Sequence, residues 1–198
     1  MNRQGRFQRK TRETEVAVVC DLDGGSVAID VPDGFFGHML DALAVHSGLG
    51  LQVQATGDTH VDLHHTVEDV GIALGESVRD ALGDGAGIAR FAHAYAPLDE
   101  ALARAVVDCS GRGYFAPVFP ARLEASWVTS SFPFTLVGDF FQAFADRGRI
   151  TLHLELLAAR NPHHAAEAAF KAVALALRQA VRLRGGDDRV PSTKGSLG

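Results

Sequence analysis

The chain has 198 residues, 46% of them hydrophobic and 22% charged, enough for one ordinary domain core or two very small ones. Its 19 basic and 24 acidic residues leave a formal charge of −5, which excludes the net basic surface that a general nucleic-acid binder needs. No apolar run approaches the roughly eighteen residues of a membrane span, and the basic start MNRQGRFQRKTRETE lacks the apolar stretch of a secretory signal. Cys20 and Cys109 stand far apart in no metal-like spacing, so the expected location is a reducing cytoplasm rather than a disulfide-forming compartment.

In chain order, the first strand candidates are residues 13–22 and 26–31. An amphipathic helix follows, with Phe36, Met39, Leu40, Leu43 and Ala44 on one face. Leu49, Leu51, Val53 and Ala55 then alternate as a half-buried strand. Val67, Val70, Leu74, Val78 and Leu82 recur at three- and four-residue steps, one apolar stripe of a second helix. After the Gly-rich loop at 83–87, the same order returns. Strand candidates at 101–109 and 114–120 precede a helix bearing Val137, Phe140, Phe141, Phe144 and Ala145. The strand Ile150, Leu152, Leu154, Leu156 follows, and then the helical stripe Ala166, Ala169, Val173, Leu177, Val181. Each copy reads strand, strand, helix, strand, helix. Two such α+β units, each with one apolar sheet face, must bury those faces against helices.

The repeat is sharpest at His-His-x-x-Glu. His64, His65 and Glu68 fall on His163, His164 and Glu167 at an offset of 163 − 64 = 99 residues. On a helix, the first histidine and the glutamate share a face at i and i+4, a spacing able to chelate one ion, and the second histidine points about 100° further round. One such pair would be a surface feature. Two pairs at the same point of a repeat indicate two metal sites, each open to a further ligand from the other copy or another subunit. The upstream helices align at 139 − 38 = 101, which sets His38 against Asp139, both of them ligand types. Nitrogen and oxygen donors without thiolate suit Mn, Fe or Zn. Arg90, Arg112 and Lys194 lie among glycines and hydroxyls, including Ser192 and Thr193 in PSTKG, a composition suited to an anion. Asp99 and Glu100 read either as an acid/base pair or as solvent-facing carboxylates.

With these motifs in order (RETEV, FFGHML followed by His46, ATGDTHVDLHHTVEDVGIALG, PLDEAL, SGR, TLH, NPHHAAEAAFKA and PSTKG), the chain closely resembles the imidazoleglycerol-phosphate dehydratase family from residue 12 to the carboxy terminus. The resemblance implies an internally duplicated α+β fold. Each half is a four-stranded β-sheet with two helices, and the halves stack with helices between the sheets, the ribosomal protein S5 domain 2-like arrangement. It implies a single catalytic domain over 1–198, made of repeat 1 at about 10–92, repeat 2 at about 93–184 and a substrate-binding tail at 185–198. It further implies a cytoplasmic 24-mer built from trimers, with no nucleic-acid or membrane partner and active sites at subunit interfaces.

By the same resemblance, the enzyme is a hydro-lyase of histidine biosynthesis converting D-erythro-imidazoleglycerol phosphate to imidazoleacetol phosphate with two Mn²⁺ per active site. The implied metal ligands are His38, His64, His65, Glu68, His163, His164 and Glu167. The implied substrate contacts are Glu13, His38, His46, His64, His65, Glu68, Arg90, Arg112, Ser192, Thr193 and Lys194. Glu13 is the expected carbon base, with Glu68 or Glu167 shuttling protons. The chain departs from the family pattern at Gly37, where many members carry Asp, at Asp139, where members carry histidine or an acid, and at Leu98, often methionine. A two-metal hydrolase or a metal-storage cage would use similar ligands but would lack this reaction.

Overall fold

The computed structural model describes residues 3–186 and 188–197; Met1, Asn2, Asp187 and Gly198, two of them in the expected 185–198 tail, lie outside the described residues. Alternation builds the inner strands. In β2 (Thr14–Asp21), Val16, Val18 and Cys20 face inward, and antiparallel β4 (Gly50–Gly57) aligns Val53 with Val18 and buries Leu51, Val53 and Ala55. The edges of this sheet are β1 (Gln4–Lys10), antiparallel to β2, and β3 (Val27–Asp30), parallel to β4, giving the order β1-β2-β4-β3. A parallel neighbour needs a crossover, and α1 (Gly34–Ser47) supplies it before α2 (His64–Leu82) closes the first half.

The second half repeats this plan. Strands β5 (Phe91–Leu98), β6 (Ala101–Asp108), β7 (Tyr114–Val118) and β8 (Thr151–Ala158) form a sheet of order β5-β6-β8-β7, with β7 again parallel to β8. A short helix α3 (Ala121–Glu124) precedes α4 (Thr135–Gly148), and α5 (Pro162–Ala180) ends the half. The duplicated two-sheet architecture is therefore present. It differs from the strand-strand-helix-strand-helix reading by one extra strand at the start of each copy, β1 and β5. Each turns little bulk inward, Phe7 of β1 and Leu98 of β5 being only partly buried against the core. Strand β5 turns Ala94 and Ala96 inward and leaves Phe91 and Tyr95 exposed, while β1 buries Gly5, whose missing side chain lets the strand lie on the Ser77 carbonyl of α2.

The helices fill the space between the sheets and pair across the halves, α2 on α4 and α1 on α5. Phe170 of α5 lies 5.1 Å from Phe140 and 4.7 Å from Phe141 of α4, ring centre to ring centre, and Phe36 of α1 meets Phe140 at 5.7 Å. One continuous buried core results, so the halves bury their apolar faces against each other's helices.

Candidate metal centre

Both His-His-x-x-Glu motifs sit in the first turn of a helix, started the same way. Asp62 accepts the His64 backbone N–H at 2.9 Å, and Asn161 accepts that of His163 at 2.8 Å, with Pro162 at the head of α5. Helix α1 starts under an Asp33 cap that accepts from Phe36 N–H at 2.9 Å, and the other oxygen of Asp33 accepts from Ser131 Oγ at 2.7 Å, in the loop before α4. That bond draws the starts of α1 and α4 together, so the four long helices present their first turns at one end of the helical layer.

There α1 and α5 form the first cluster. Glu167 Oε2 lies 3.3 Å from His38 Nε2 and 3.4 Å from His163 Nε2, and Lys171 Nζ reaches the other oxygen of Glu167 at 2.5 Å. Burial alone would raise the Glu167 carboxyl, but the Lys171 hydrogen bond and charge, with help from His38, hold it below the ordinary range. The ligand atoms of His38, His163 and Glu167 lie within 4.8 Å of one another, two imidazoles and a carboxylate in a set that fits a divalent transition ion. Gly37 leaves room beside His38, since an added Cβ would meet only Val31 Cγ2 at 3.4 Å.

The repeat counterpart lies between α2 and α4. His64 Nδ1 is 3.3 Å from Asp139 Oδ2, and His64 Nε2 is 4.0 Å from Glu68 Oε2. Burial raises the Asp139 carboxyl above its ordinary value, against the pull of His64 and with the repulsion of Glu68. The second histidine of each motif points elsewhere and is held through Nδ1. His65 meets Asp58 at 3.1 Å and Glu13 at 3.8 Å, and these three form another group with ligand atoms within 4.8 Å. The Asp58 bond raises the His65 pKa. His164 Nδ1 meets Glu100 at 2.8 Å, and that bond together with the Asn161 backbone N–H holds the Glu100 carboxyl down to about 2. Glu13 and Glu100 are themselves repeat counterparts, each directly before an inner strand, β2 and β6. A carboxylate on Nδ1 fixes the ring and leaves Nε2 as the outward donor.

The expected anion-binding residues lie elsewhere. Arg90 donates its backbone N–H to Ala180 O, at the far end of α5 from His163. Seventeen residues of helix at about 1.5 Å each put those ends about 26 Å apart. The Arg90 guanidinium reaches Asp108 at 2.7 and 3.2 Å and the Pro191 carbonyl at 2.7 Å, tying down the chain just before Ser192, Thr193 and Lys194. Arg112 is exposed in the loop between β6 and β7. His46 is half-buried in the last turn of α1, eight residues beyond His38. Within one chain the cation-rich end and the histidine end are thus separate. The sequence reading did not single out Lys171, although its i+4 spacing from Glu167 was visible, nor Asp58, whose partnership with His65 is a tertiary contact with no local spacing to betray it.

A duplicated α+β scaffold that sets paired His/carboxylate clusters at helix starts defines a metal-dependent enzyme class, and known proteins narrow it. Residues 32–177 match the family described as imidazoleglycerol-phosphate dehydratase. Relatives of that name from Desulforamulus reducens and Kineococcus radiotolerans are each 50% identical, over 202 and 199 aligned positions that cover 100% of both chains. The crystal structure of the Staphylococcus aureus dehydratase superposes with a TM-score of 0.81 at 34% identity, covering 91% of this chain and 99% of that one. The Pyrococcus furiosus structure gives 0.81 at 35%, covering 96% and 100%. The chain belongs to the imidazoleglycerol-phosphate dehydratase family.

Proposed function

We propose that this chain catalyses the metal-dependent dehydration of D-erythro-imidazoleglycerol phosphate to imidazoleacetol phosphate, a hydro-lyase step of histidine biosynthesis. The observation that carries the reading is the His38, His163 and Glu167 cluster, repeated in outline by His64 and Glu68, in a chain of this family. His38, His64, His65, Glu68, His163, His164 and Glu167 would hold two ions per active site, Mn²⁺ being the ion proposed. Bound divalent cations supply Lewis acidity toward the ring nitrogens of an imidazole substrate.

The other work falls to side chains. Glu13, 3.8 Å from His65 and exposed at the turn before β2, would accept the proton leaving carbon. The hydroxyl on the ring-adjacent carbon departs as water on gaining a proton, for which Glu68 and Glu167 are the candidate donors, and the resulting enol becomes the ketone. Arg90, Arg112, Ser192, Thr193 and Lys194 would bind the phosphate and spend that remote binding energy on orienting the reacting carbons, with His46 as a further substrate neighbour. Because the cation-rich end and the histidine end of one chain are about 26 Å apart by helix rise, a complete site takes its phosphate clamp from another copy. This supports assembly, proposed as a 24-mer of trimers in the cytoplasm. Among the described residues, no helix is long and apolar enough to cross a membrane. The chain is proposed to work as one catalytic domain, its two repeats followed by the substrate-binding tail.

The test is turnover of imidazoleglycerol phosphate by chelated protein before and after Mn²⁺ is restored. Ketone should form only after restoration. Lack of product from assembled, metal-loaded protein would remove the assignment. Lys194→Ala should raise KM well above its effect on kcat, and unchanged kinetics would take Lys194 out of the clamp.

A further inference from the structure

The turn that presents Glu13 rests on a polar set centred on Asp69, a buried residue in the second turn of α2 that uses both carboxylate oxygens. Its Oδ1 accepts from Nε of the half-buried Arg9 at 2.7 Å, and its Oδ2 accepts from the Thr14 hydroxyl. A carboxylate only accepts, so the Thr14 proton points at Asp69, and Thr11 donates its own proton to Thr14 Oγ1, 3.2 Å away. The lone pairs of Thr11 Oγ1 then accept the backbone N–H groups of Glu13 at 3.1 Å and Thr14 at 3.0 Å. The Glu13 carbonyl accepts from Asp58 N–H at 3.0 Å. The main chain of Glu13 is tied on both sides, while its side chain stays exposed beside His65.

The second half shows that the fold does not require this set. The strand offset of 100 − 13 = 87 carries Arg9 to Ala96 and Thr14 to Ala101, and the helix offset of 99 carries Asp69 to Ala168. All three alanines are buried. Apolar replacement of a buried ion pair is often neutral or stabilising, and here the other repeat folds with that replacement in place. The two glutamates differ accordingly. Glu100 commits Oε1 to the backbone N–H groups of Arg160 and Asn161, and Oε2 to His164 at 2.8 Å. One half locks the carboxylate itself; the other locks the turn and leaves the carboxylate available.

We infer that Asp69 is a positioning residue for the reaction: through Thr14 and Thr11 it fixes Glu13 relative to α2, the helix that also carries His64, His65 and Glu68. The inference rests on the base role proposed for Glu13 above. Base and histidines share one rigid helix as their reference, so the distance between them is set before substrate arrives. Of the two repeat-related glutamates, Glu13 is the one presented for proton transfer.

The experiment measures kcat and KM of assembled, Mn²⁺-loaded protein on imidazoleglycerol phosphate, and again with deuterium on the carbon that loses its proton. Asp69→Asn keeps the shape but puts an NH₂ donor at one of the two acceptor positions. Its kcat should fall about tenfold to a hundredfold, the order that a small misplacement of a reacting group costs. KM and the number of bound ions should hold, and kcat should carry a primary isotope effect. Thr14→Val should act alike, and Thr14→Ser should restore most of kcat. Glu13→Gln with Asp69→Asn should be no slower than Glu13→Gln alone, because a residue acting through Glu13 then has nothing left to position. Arg9→Ala, Thr14→Ala and Asp69→Ala together copy the second half, so this triple variant should assemble and bind both ions with the same low kcat. It decides the matter if Asp69→Asn does not fold.

Given an active wild type, four results overturn the inference: a triple variant that fails to assemble, one with undiminished kcat, a fall in kcat without an isotope effect, or losses that add to that of Glu13→Gln. Absence of wild-type turnover counts instead against the dehydratase reading. Backbone hydrogen exchange at residues 11–14 then judges the inference, since Asp69→Asn should speed it, and unchanged exchange overturns the role of Asp69.

Discussion

Helices α2 and α5 occupy equivalent places in the duplicated scaffold, yet they meet α4 by opposite means. Helix α2 carries Gly71 and Gly75 on its contact face. A Cβ at Gly71 would come within 2.7 Å of Phe140 O, and one at Gly75 within 2.6 Å of Phe144 O and 2.7 Å of Gly148 N. The backbones of α2 and α4 touch. The repeat counterparts of these glycines, at an offset of 99, are Phe170 and Ala174 in α5. There a fully buried ring, stacked on Phe140 of α4, fills space of the kind that close backbone approach removes between α2 and α4. The first turns stay alike, both with His-His-x-x-Glu, while the packing behind them diverges. A helix axis can be positioned equally well by a large residue or by two absent ones, provided the summed volume fits.

Deleting the ring should show the largest effect on this comparison. Phe170→Ala leaves a cavity among Phe140, Phe141 and Phe170's other neighbours and should lower stability by about 3–5 kcal/mol, measured by denaturant unfolding. A smaller loss would mean that α5 closes onto α4 as α2 already does. Gly75→Val meets backbone atoms, which cannot turn aside, and overpacking of this kind typically costs about 1–3 kcal/mol. Ala174→Val at the equivalent place of α5 gives the contrast, and equal losses at both would deny that the two helices differ.

A pH measurement sharpens the comparison at the second histidines. Glu100 is held down to about 2 from an ordinary value of 4.5, chiefly by the His164 hydrogen bond and then by the Asn161 N–H. The folded chain therefore binds this proton less readily than the unfolded chain. The stabilisation is present above about pH 4.5 and is lost as pH falls toward 2. Glu100→Gln should flatten the acid limb of stability against pH, and an unchanged limb would show that the His164 bond has no such effect. The smallest expected signal is thiol reactivity. Burial pushes both Cys20 and Cys109 up to about 12, so neither thiolate forms near neutrality, and a thiol reagent should label both only on unfolding. Since one lies in each half, much faster labelling of either would reveal halves that open separately.

Much of this architecture was legible because large apolar side chains mark the buried face. Helices α1, α2, α4 and α5 and strands β2, β4 and β8 carry such a stripe, while β6 turns Ala101, Ala103, Ala105 and Val107 inward and shows by alternation alone. Strand β1 escaped because Gly5 faces inward against the α2 backbone with only the part-buried Phe7 beside it, and β5 because alanines face inward while Phe91 and Tyr95 face outward. The meeting of His38 with His163 and Glu167 was implicit in the ligand types and the repeat. The hold of Asp58 and Glu100 on the second histidines was not, because it depends on loops brought together by the sheets. Arg90 and Arg112 read alike in sequence, but the structure engages Arg90 with Asp108 and Pro191 and leaves Arg112 exposed.

The central claim is that repeated helix starts assemble a two-ion site for dehydrating an imidazole polyol phosphate. Turnover of imidazoleglycerol phosphate, followed by ketone formation as Mn²⁺ is returned to stripped, assembled protein, tests it most directly. Activity should rise from background and reach its plateau at two ions bound per chain. A plateau reached with no bound ion, or no ketone with both positions filled, would contradict it.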